Sequence, residues 1–362
     1  MKYYIISGET SGDNHASRVM LALKKLDSNA TFRGMGGDAS QAAGQELIIH
    51  QKEMAIMGFV EIITSLRKIA RNLKLIKQDI KSWNPDVVLL VDYPGFNFKI
   101  AKYVYGIGIP VHYYISPKVW AWKEGRVKLI KKYITKLYCI LPFEEAYFKK
   151  RNVESTYVGN PSKETVDEFL LTNTLVRDKK QIALLPGSRK QEINTSLPIM
   201  LEAMKEFSDY QLLVAQAPGF DDTFYHNFNP NLKLIKNDMY SLLAQCDAAL
   251  VTSGTATLET ALMNVPQVVC YRLNEISYRI GKMVVKLDYI SLVNLILDKP
   301  CVTELIQSDF NPKRLKIELN LILHDADRKS KMTKEYAELH KIIGQGHPSS
   351  EVASLIWAEL SH

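Results

Sequence analysis

Four short stretches of this 362-residue chain gather residue types that can bind anions or move protons. Leu184-Leu185-Pro186-Gly187-Ser188-Arg189 runs an apolar segment into a Gly-Ser turn and then into a helical pattern. Backbone N–H groups, a hydroxyl and a guanidinium meet there, which suits a diphosphate. A surface arginine after an ordinary turn is the alternative. Ser253-Gly254-Thr255-Ala256-Thr257-Leu258-Glu259 repeats the design. Its small hydroxyl residues open a helix, and Glu259 lies one turn in, where a carboxylate suits ribose hydroxyls. A variant capping box would look the same. Two such turns in one half of the chain favour a nucleotide diphosphate. The run Val87–Val91 delivers Asp92, followed by Tyr93-Pro94-Gly95-Phe96-Asn97. A carboxylate at a strand's carboxyl end is where a general base belongs, and equally where a helix cap belongs. Ser7-Gly8-Glu9-Thr10-Ser11-Gly12-Asp13 ends the first apolar run. There a tight strand-to-helix turn capped by Ser11 or Asp13 is the simpler reading. Gly34-Met35-Gly36-Gly37 is similarly ambiguous. Neither G-x-G-x-x-G nor G-x-x-x-x-G-K-[ST] occurs, so a dinucleotide fingerprint and a P-loop are both disfavoured.

Two basic stretches accompany these turns. Leu66, Ile69, Leu73, Ile76 and Ile80 form an apolar stripe at helical spacing, interleaved with Arg67, Lys68, Arg71, Lys74, Lys77 and Lys81. Asp79 is the single acid among them, and the apolar segment Met54–Val60 lies just upstream. A basic amphipathic helix beside an apolar loop suits an anionic membrane surface; a core-packed helix with a solvated basic face is the plainer alternative. The second stretch, Lys118 to Lys136, includes Trp120 and Trp122. Basic residues among aromatics can bind nucleic acid, but a net charge of +7 is mild and no nucleic-acid motif is present. No metal site is expected. The histidines are scattered, and the D-x-D of Asp325-Ala326-Asp327 falls between two helical patterns, where capping explains it.

The elements that must position these residues follow from hydrophobic patterning. Strands are predicted at Tyr3–Ser7, Val87–Asp92, Val111–Ile115, Leu137–Leu141 and Thr156–Val158. Helices such as Asp13–Leu26 and Phe96–Tyr105 lie between them. The alternation restarts with strand Ile182–Leu185 and helix Gln191–Phe207. Strands Gln211–Ala215 and Leu232–Ile235 follow, then helix Tyr240–Cys246, strand Ala248–Val251, helix Thr255–Met263 and strand Gln267–Tyr271. Continuously apolar strands alternating with helices imply parallel sheets covered on both faces. The fold class is therefore α/β, with two Rossmann-like doubly wound domains facing a ligand cleft and a helical C-terminus from about residue 312. Domain spans of 1–165, 166–345 and a final helical segment 346–362 are expected. A composition of 46% hydrophobic and 23% charged residues excludes a disordered or fibrous chain. The longest apolar runs fall far short of the ~20 residues that span a bilayer. The N-terminus does not read as a signal peptide. Cys139, Cys246, Cys270 and Cys301 are widely spaced and form no C-x-x-C pair, so buried thiols are expected.

Taken together, the motifs resemble the lipid-A-disaccharide synthase family, inverting glycosyltransferases of the two-Rossmann GT-B architecture. Besides the turns above, the resemblance rests on Met57-Gly58-Phe59-Val60-Glu61, Tyr114-Ile115-Ser116-Pro117-Lys118-Val119-Trp120-Ala121-Trp122 and Leu141-Pro142-Phe143-Glu144. In the second half it adds Tyr271-Arg272 and Tyr289-Ile290-Ser291-Leu292-Val293-Asn294-Leu295. The ISPxxWAW and DxPxFN segments are the most specific. Asn160 stands where the family usually has His, and Val293 where it usually has Pro.

The resemblance implies transfer of sugar from UDP-2,3-diacylglucosamine to the 6-hydroxyl of 2,3-diacylglucosamine 1-phosphate (lipid X), forming the β-1,6-linked disaccharide 1-phosphate and UDP. No cofactor is expected. Asp92 is the expected base, with Glu9 next in line, and Arg189 the expected stabiliser of the leaving diphosphate. Gly187, Ser188, Arg189, Ser253, Gly254, Thr255, Glu259 and Asn294 are expected to bind UDP, Asn294 by motif match alone. Met57, Phe59, Arg67, Lys68, Arg71 and Lys74 are expected to face the acceptor and the anionic inner membrane, with the protein peripheral on its cytoplasmic face and a homodimer among the expected assemblies. Two other readings stand beside this one: a UDP-N-acetylglucosamine 2-epimerase-like enzyme on the same fold, and a non-catalytic membrane-surface binding protein.

Overall fold

The computed structural model describes residues 1–54, 62–175, 179–252, 254–273, 278 and 287–361. The expectations placed on Met57, Phe59 and Ser253 lie outside the described residues. The chain forms two compact units: residues Met1–Pro161 with Gly346–His362, and residues Ser162–Gln345.

The first unit is built on a seven-stranded, wholly parallel sheet. Its strands are β1 (Lys2–Ser7), β2 (Thr31–Gly36), β3 (Gln45–His50), β4 (Val87–Val91), β5 (Val111–Tyr114), β6 (Lys136–Cys139) and β7 (Thr156–Tyr157). Their spatial order is β3-β2-β1-β4-β5-β6-β7. Side chains alternate across the strands, so each face acquires its own apolar layer. Tyr4, Ile6, Val88 and Leu90 pack with Ile76 and Ile80 of helix α3 (Ile62–Trp83) and with Ile100 and Val104 of α4 (Pro94–Gly106). Tyr3, Ile5, Val87 and Leu89 pack on the opposite face with Ala16, Val19, Met20 and Leu23 of α1 (Thr10–Leu26). The terminal helix Pro348–Leu360 joins that second layer through Val352, Ala353 and Ile356. The end of the chain thus completes the core of the first unit.

β2 and β3 were not expected. β2 reads TFRGMG and β3 reads QELIIH, so neither carries the continuous apolar run that marked the central strands. Tertiary contacts make them strands. The φ of +139° at Gly34 lets β2 approach β1 so closely that a Cβ would sit 2.3 Å from the Ile5 carbonyl oxygen. Arg33 of β2 then reaches α3, where its Nε and Nη2 donate to the two carboxylate oxygens of Asp79 at 3.0 and 2.8 Å. The Tyr4 hydroxyl donates to Asp79 Oδ2 at 2.9 Å. The one acid among the basic residues of α3 is therefore turned onto the sheet. Arg67, Arg71, Lys74 and Lys81 remain exposed on the outside of that helix.

The second unit carries a six-stranded parallel sheet: β8 (Gln181–Leu185), β9 (Gln211–Gln216), β10 (Lys233–Lys236), β11 (Ala248–Thr252), β12 (Gln267–Tyr271) and β13 (Thr303–Ile306), in the order β10-β9-β8-β11-β12-β13. Helices α8 (Lys190–Met204) and α11 (Thr255–Leu262) follow β8 and β11, and α7 (Pro161–Thr172), α9 (Asp222–His226) and α10 (Met239–Ala244) accompany them, whereas α2 (Asp38–Ala42), α5 (Val127–Tyr133) and α6 (Pro142–Lys149) belong to the first unit. The expected helical stretch from residue 312 comprises Pro312–His324, Ala326–Ile343 and Pro348–Leu360. Asp325 caps the second of these by accepting from Arg328 N at 2.9 Å. All four cysteines are buried thiols. Among the described residues no helix is long and apolar enough to cross a membrane.

Candidate active site

Strand order reverses between β1 and β4 in the first unit, the position where doubly wound sheets bind ligands. Asp92 leaves β4 there. Asp92 and Tyr93 both adopt left-handed backbone conformations, with φ of 47° and 50°, and Ile115 at the end of β5 has φ of 64°. A β-branched residue in that region is a true outlier, and such strain gathers at functional sites. The turn is held from below. The Asp92 carbonyl accepts from Asn97 Nδ2 at 2.7 Å and from the Tyr113 hydroxyl, while Asp92 N donates to the Tyr114 carbonyl at 3.0 Å. The last residue of the DxPxFN segment therefore clamps the first. Gly8 makes room for the turn, because a Cβ there would lie 2.3 Å from the Tyr93 ring.

Burial raises the pKa of the Asp92 carboxyl, and the nearby Glu9 charge raises it further; Lys118 and the Tyr93 N–H oppose the shift. Glu9, Asp92 and Lys118 thus form one electrostatic group at the ends of β1, β4 and β5. Ser7 Oγ and Asn97 Oδ1, both fully buried beside this group, have no hydrogen-bond partner among the described residues. Buried polar atoms of that kind call for an explanation, and a ligand is one.

Ser11 and Asp13 do not cap α1, correcting the simpler reading of that turn. The helix starts at Thr10, its N-cap is Glu9, and no side chain caps it. Asp13 reaches across to the next turn instead, accepting from the backbone N–H of Gly37 (2.6 Å), Ala39 (3.0 Å) and Ser40 (3.3 Å). A Cβ at Gly37 would lie 2.7 Å from Asp13 Oδ2. The two ambiguous glycine turns are therefore halves of one clasp.

Glu144 plays the corresponding role under the ISPxxWAW segment. Its buried carboxylate accepts from Ser116 Oγ (2.6 Å), Trp120 Nε1 (2.9 Å), Leu141 N (3.0 Å) and Ile140 N (3.2 Å). Burial raises its pKa, and these four donors pull it back. Asn160 sits close by, donating to the Ile140 carbonyl at 3.0 Å. Its amide thus tethers the ends of β6 and β7. Removing Glu144 as Glu144→Ala strands the donors it holds, at about 3 kcal/mol. Thermal melts are expected to show the midpoint lowered by roughly 5–10 °C. A variant melting with the wild type would mean that water replaces the carboxylate without loss.

In the second unit the order reverses between β8 and β11, and the two glycine turns stand at that point. Gly187 has φ of +112° and Gly254 φ of +62°, both in the region that favours glycine. Arg189 projects into solvent, its side chain 83% exposed. The N–H groups beside it are occupied: Glu192 Oε2 accepts from Ser188 N at 3.0 Å and from Arg189 N at 3.2 Å. Thr252 Oγ1, buried at the end of β11, has no partner among the described residues. Glu259 is half-buried on α11; its Oε1 accepts from Tyr240 Oη (3.0 Å) and Ser162 Oγ (3.2 Å), and burial raises its pKa.

Asn294 is buried near the start of the helix Leu292–Leu297. It is 1% exposed, its Oδ1 accepts from Val302 N at 2.9 Å, and its Nδ2 donates to Val302 O at 2.9 Å and to Glu304 Oε1 at 3.0 Å. The amide is spent inside the protein, on Val302 and Glu304. Glu304 also accepts from Ile290 N and Ser291 N, both at 2.9 Å, so Asn294 and Glu304 together hold the Tyr289–Leu295 segment against β13. Glu304, Glu192 and Tyr113 were not singled out from the sequence, and Glu144 with its partners Ser116 and Trp120 entered only as members of family segments. For Glu144 a signal existed, its place in the LPFE segment; Glu304 and Glu192 carried none.

A family model described as lipid-A-disaccharide synthetase matches residues 3–355. A lipid-A-disaccharide synthase of Syntrophus aciditrophicus is 38% identical over 355 residues, covering 94% of this chain and 93% of the relative. The chain belongs to the lipid-A-disaccharide synthase family. A second member, from Myxococcus xanthus, is 35% identical over 366 residues and covers 97% and 96% of the two chains. Membership makes the protein a glycosyltransferase of lipid A disaccharide synthesis. Solved structures supply the fold. A putative UDP-N-acetylglucosamine 2-epimerase from Listeria monocytogenes aligns with a TM-score of 0.69 at 14% identity, covering 99% of this chain and 96% of the other. CalG4, a calicheamicin glycosyltransferase, aligns at 0.61 and 13%, covering 100% and 98%. The epimerase likeness at that identity is one of fold alone. The family match, end to end, sets the epimerase-like and non-catalytic readings aside.

Proposed function

We propose that the enzyme transfers the diacylglucosamine of UDP-2,3-diacylglucosamine to the 6-hydroxyl of lipid X, with inversion at the anomeric carbon. The acceptor oxygen forms the new β-1,6 bond, its proton passes to a base, and UDP leaves with the electrons of the broken bond. The observation that carries this reading is Asp92, a carboxylate fixed on a strained turn at the ligand-binding end of the first sheet. Asp92 is the base, and Glu9 tunes it. In the second unit Arg189, Ser188 and the start of α11 stabilise the charge that develops on the diphosphate. Thr252 Oγ1 is a further donor at that point. Glu259 offers its Oε2 to the ribose hydroxyls, since its Oε1 already serves Tyr240 and Ser162. Asn294 acts by positioning its loop. Incubation with UDP-diacylglucosamine and lipid X, followed by mass analysis, tests the reading. A disaccharide 1-phosphate is the expected product, and free UDP without it would overturn the proposal.

Both substrates carry acyl chains, so the enzyme works at a membrane surface, peripherally on the cytoplasmic face of the inner membrane. The inward turn of Asp79 supports this by leaving the outer side of α3 basic. Residues 62–153 hold 18 Lys and Arg against 6 Asp and Glu, a concentration hidden in the chain's overall +7. Each basic residue near an anionic surface contributes about 1 kcal/mol, reduced by screening. Pelleting with anionic liposomes is expected to fall as salt rises. Reversing the charge of Arg67, Arg71 and Lys74 together is expected to abolish it. Equal pelleting with neutral and anionic liposomes would refute the electrostatic contribution.

A further inference from the structure

We infer that the Glu192 carboxylate occupies the diphosphate's place in the ligand-free enzyme and is displaced when the sugar donor binds. The inference rests on the reading of Pro186–Arg189 as the diphosphate site. Three donors there are the ones a diphosphate would use: Ser188 N–H, Arg189 N–H and the Arg189 guanidinium. Glu192 takes all of them, Oε2 accepting from the two backbone groups and Oε1 from Arg189 Nη1 at 3.1 Å. Gly187 makes the seat possible, because a Cβ there would lie 2.7 Å from both the Cβ and Oε2 of Glu192. A side chain folded back on its own turn thus presents a negative charge where an entering ligand would present one. The two anions cannot share the donors, since like charges at hydrogen-bond distance of the same groups repel strongly.

Displacement requires little of the fold. Glu192 lies in the first turn of α8, its side chain 21% exposed, and rotation about its side-chain bonds carries the carboxylate outward without moving the helix. Burial raises the pKa of the Tyr271 phenol at the end of β12, the Glu192 charge raises it further and Arg189 opposes the shift. In the ligand-free state the carboxylate satisfies N–H groups that would otherwise lack a partner. After transfer, its return competes with UDP and hastens product release. Apparent affinity is divided by the fraction of enzyme whose site is open.

Calorimetric titration of the wild type, Glu192→Gln and Glu192→Ala with UDP and with uridine tests the idea. If the site is closed by Glu192 about 90% of the time, UDP is expected to bind Glu192→Ala about tenfold more tightly than the wild type. Glu192→Gln, which keeps the shape and one acceptor oxygen but loses the charge, is expected to fall between them. Uridine, lacking phosphate, is expected to bind all three alike. UDP binding that is unchanged or weaker in both variants, with uridine binding intact, would overturn the displacement and make Glu192 an organiser of the turn. UDP binding no better than uridine in every protein would instead overturn the diphosphate site itself. Thermal melts accompany the titrations; should Glu192→Ala unfold, the isosteric Gln variant carries the comparison.

Discussion

Asp92→Asn is expected to lower kcat by about 10²–10⁴ while UDP affinity stays near that of the wild type, the usual cost of removing a general base. Asn retains the shape and an acceptor oxygen but takes no proton at neutral pH. The turn should survive the change, because the bonds that hold it go to the Asp92 backbone: Asn97 and Tyr113 bind its carbonyl, and its N–H binds the Tyr114 carbonyl. Thermal melts matching the wild type would confirm that activity and not folding was lost. A mutant with nearly full turnover would reject Asp92 and move attention to Glu9.

The pH profile gives this prediction a second, independent edge. A base works in its deprotonated form, so activity is lost as pH falls through its pKa. Burial, and then Glu9, raise that pKa, which places the acid limb above the ordinary Asp range. Glu9→Gln removes a raising charge, and its acid limb is expected to move to lower pH. Lys118→Met removes a lowering charge, and its limb is expected to move to higher pH. Identical limbs in wild type, Glu9→Gln and Lys118→Met would show that another group controls the profile.

Arg189→Ala is expected to raise the barrier for sugar transfer by about 2–4 kcal/mol, a loss of roughly 30- to 1,000-fold in kcat/KM for the UDP-sugar. Lipid X alone is expected to bind as before. The structure makes this a clean substitution. The Arg189 side chain is 83% exposed and its ion pair is with Glu192, a neighbour on the same turn, so the fold depends little on it. Lys in its place should recover only part of the loss, because an ammonium offers no bidentate fork. An unchanged kcat/KM would mean that the leaving group is stabilised elsewhere, with Thr252 and the start of α11 the nearest groups to test.

Hydrophobic patterning along the chain marks the central strands and the turns at their carboxyl ends. Strand runs such as Val87–Val91 and Ala248–Val251 are continuously apolar because helices cover both faces, and that requirement is written locally in each run. The switch-point turns are equally local: a strand that must stop and feed a helix needs glycine or a small polar residue at that step. The turns that carry Asp92 and Arg189, and the helix start that carries Glu259, were legible for that reason. The edges were not. β2 and β3 are strands because Gly34, Arg33 and their partners bring them against β1 and α3, and the helix Pro348–Leu360 belongs to the first unit because its apolar face fits α1. Tertiary structure alone also decided which polar group meets which. Asp13 serves a turn more than twenty residues away, Glu144 closes two motifs into one, Asn294 spends its amide on Val302, and Glu192 sits on the N–H groups that looked ready for phosphate. Hydrophobic burial leaves a periodic trace along the chain because every residue of an element shares one environment. A hydrogen bond is a directional contact between two particular atoms, and packing alone decides which distant atoms come within 3 Å of each other.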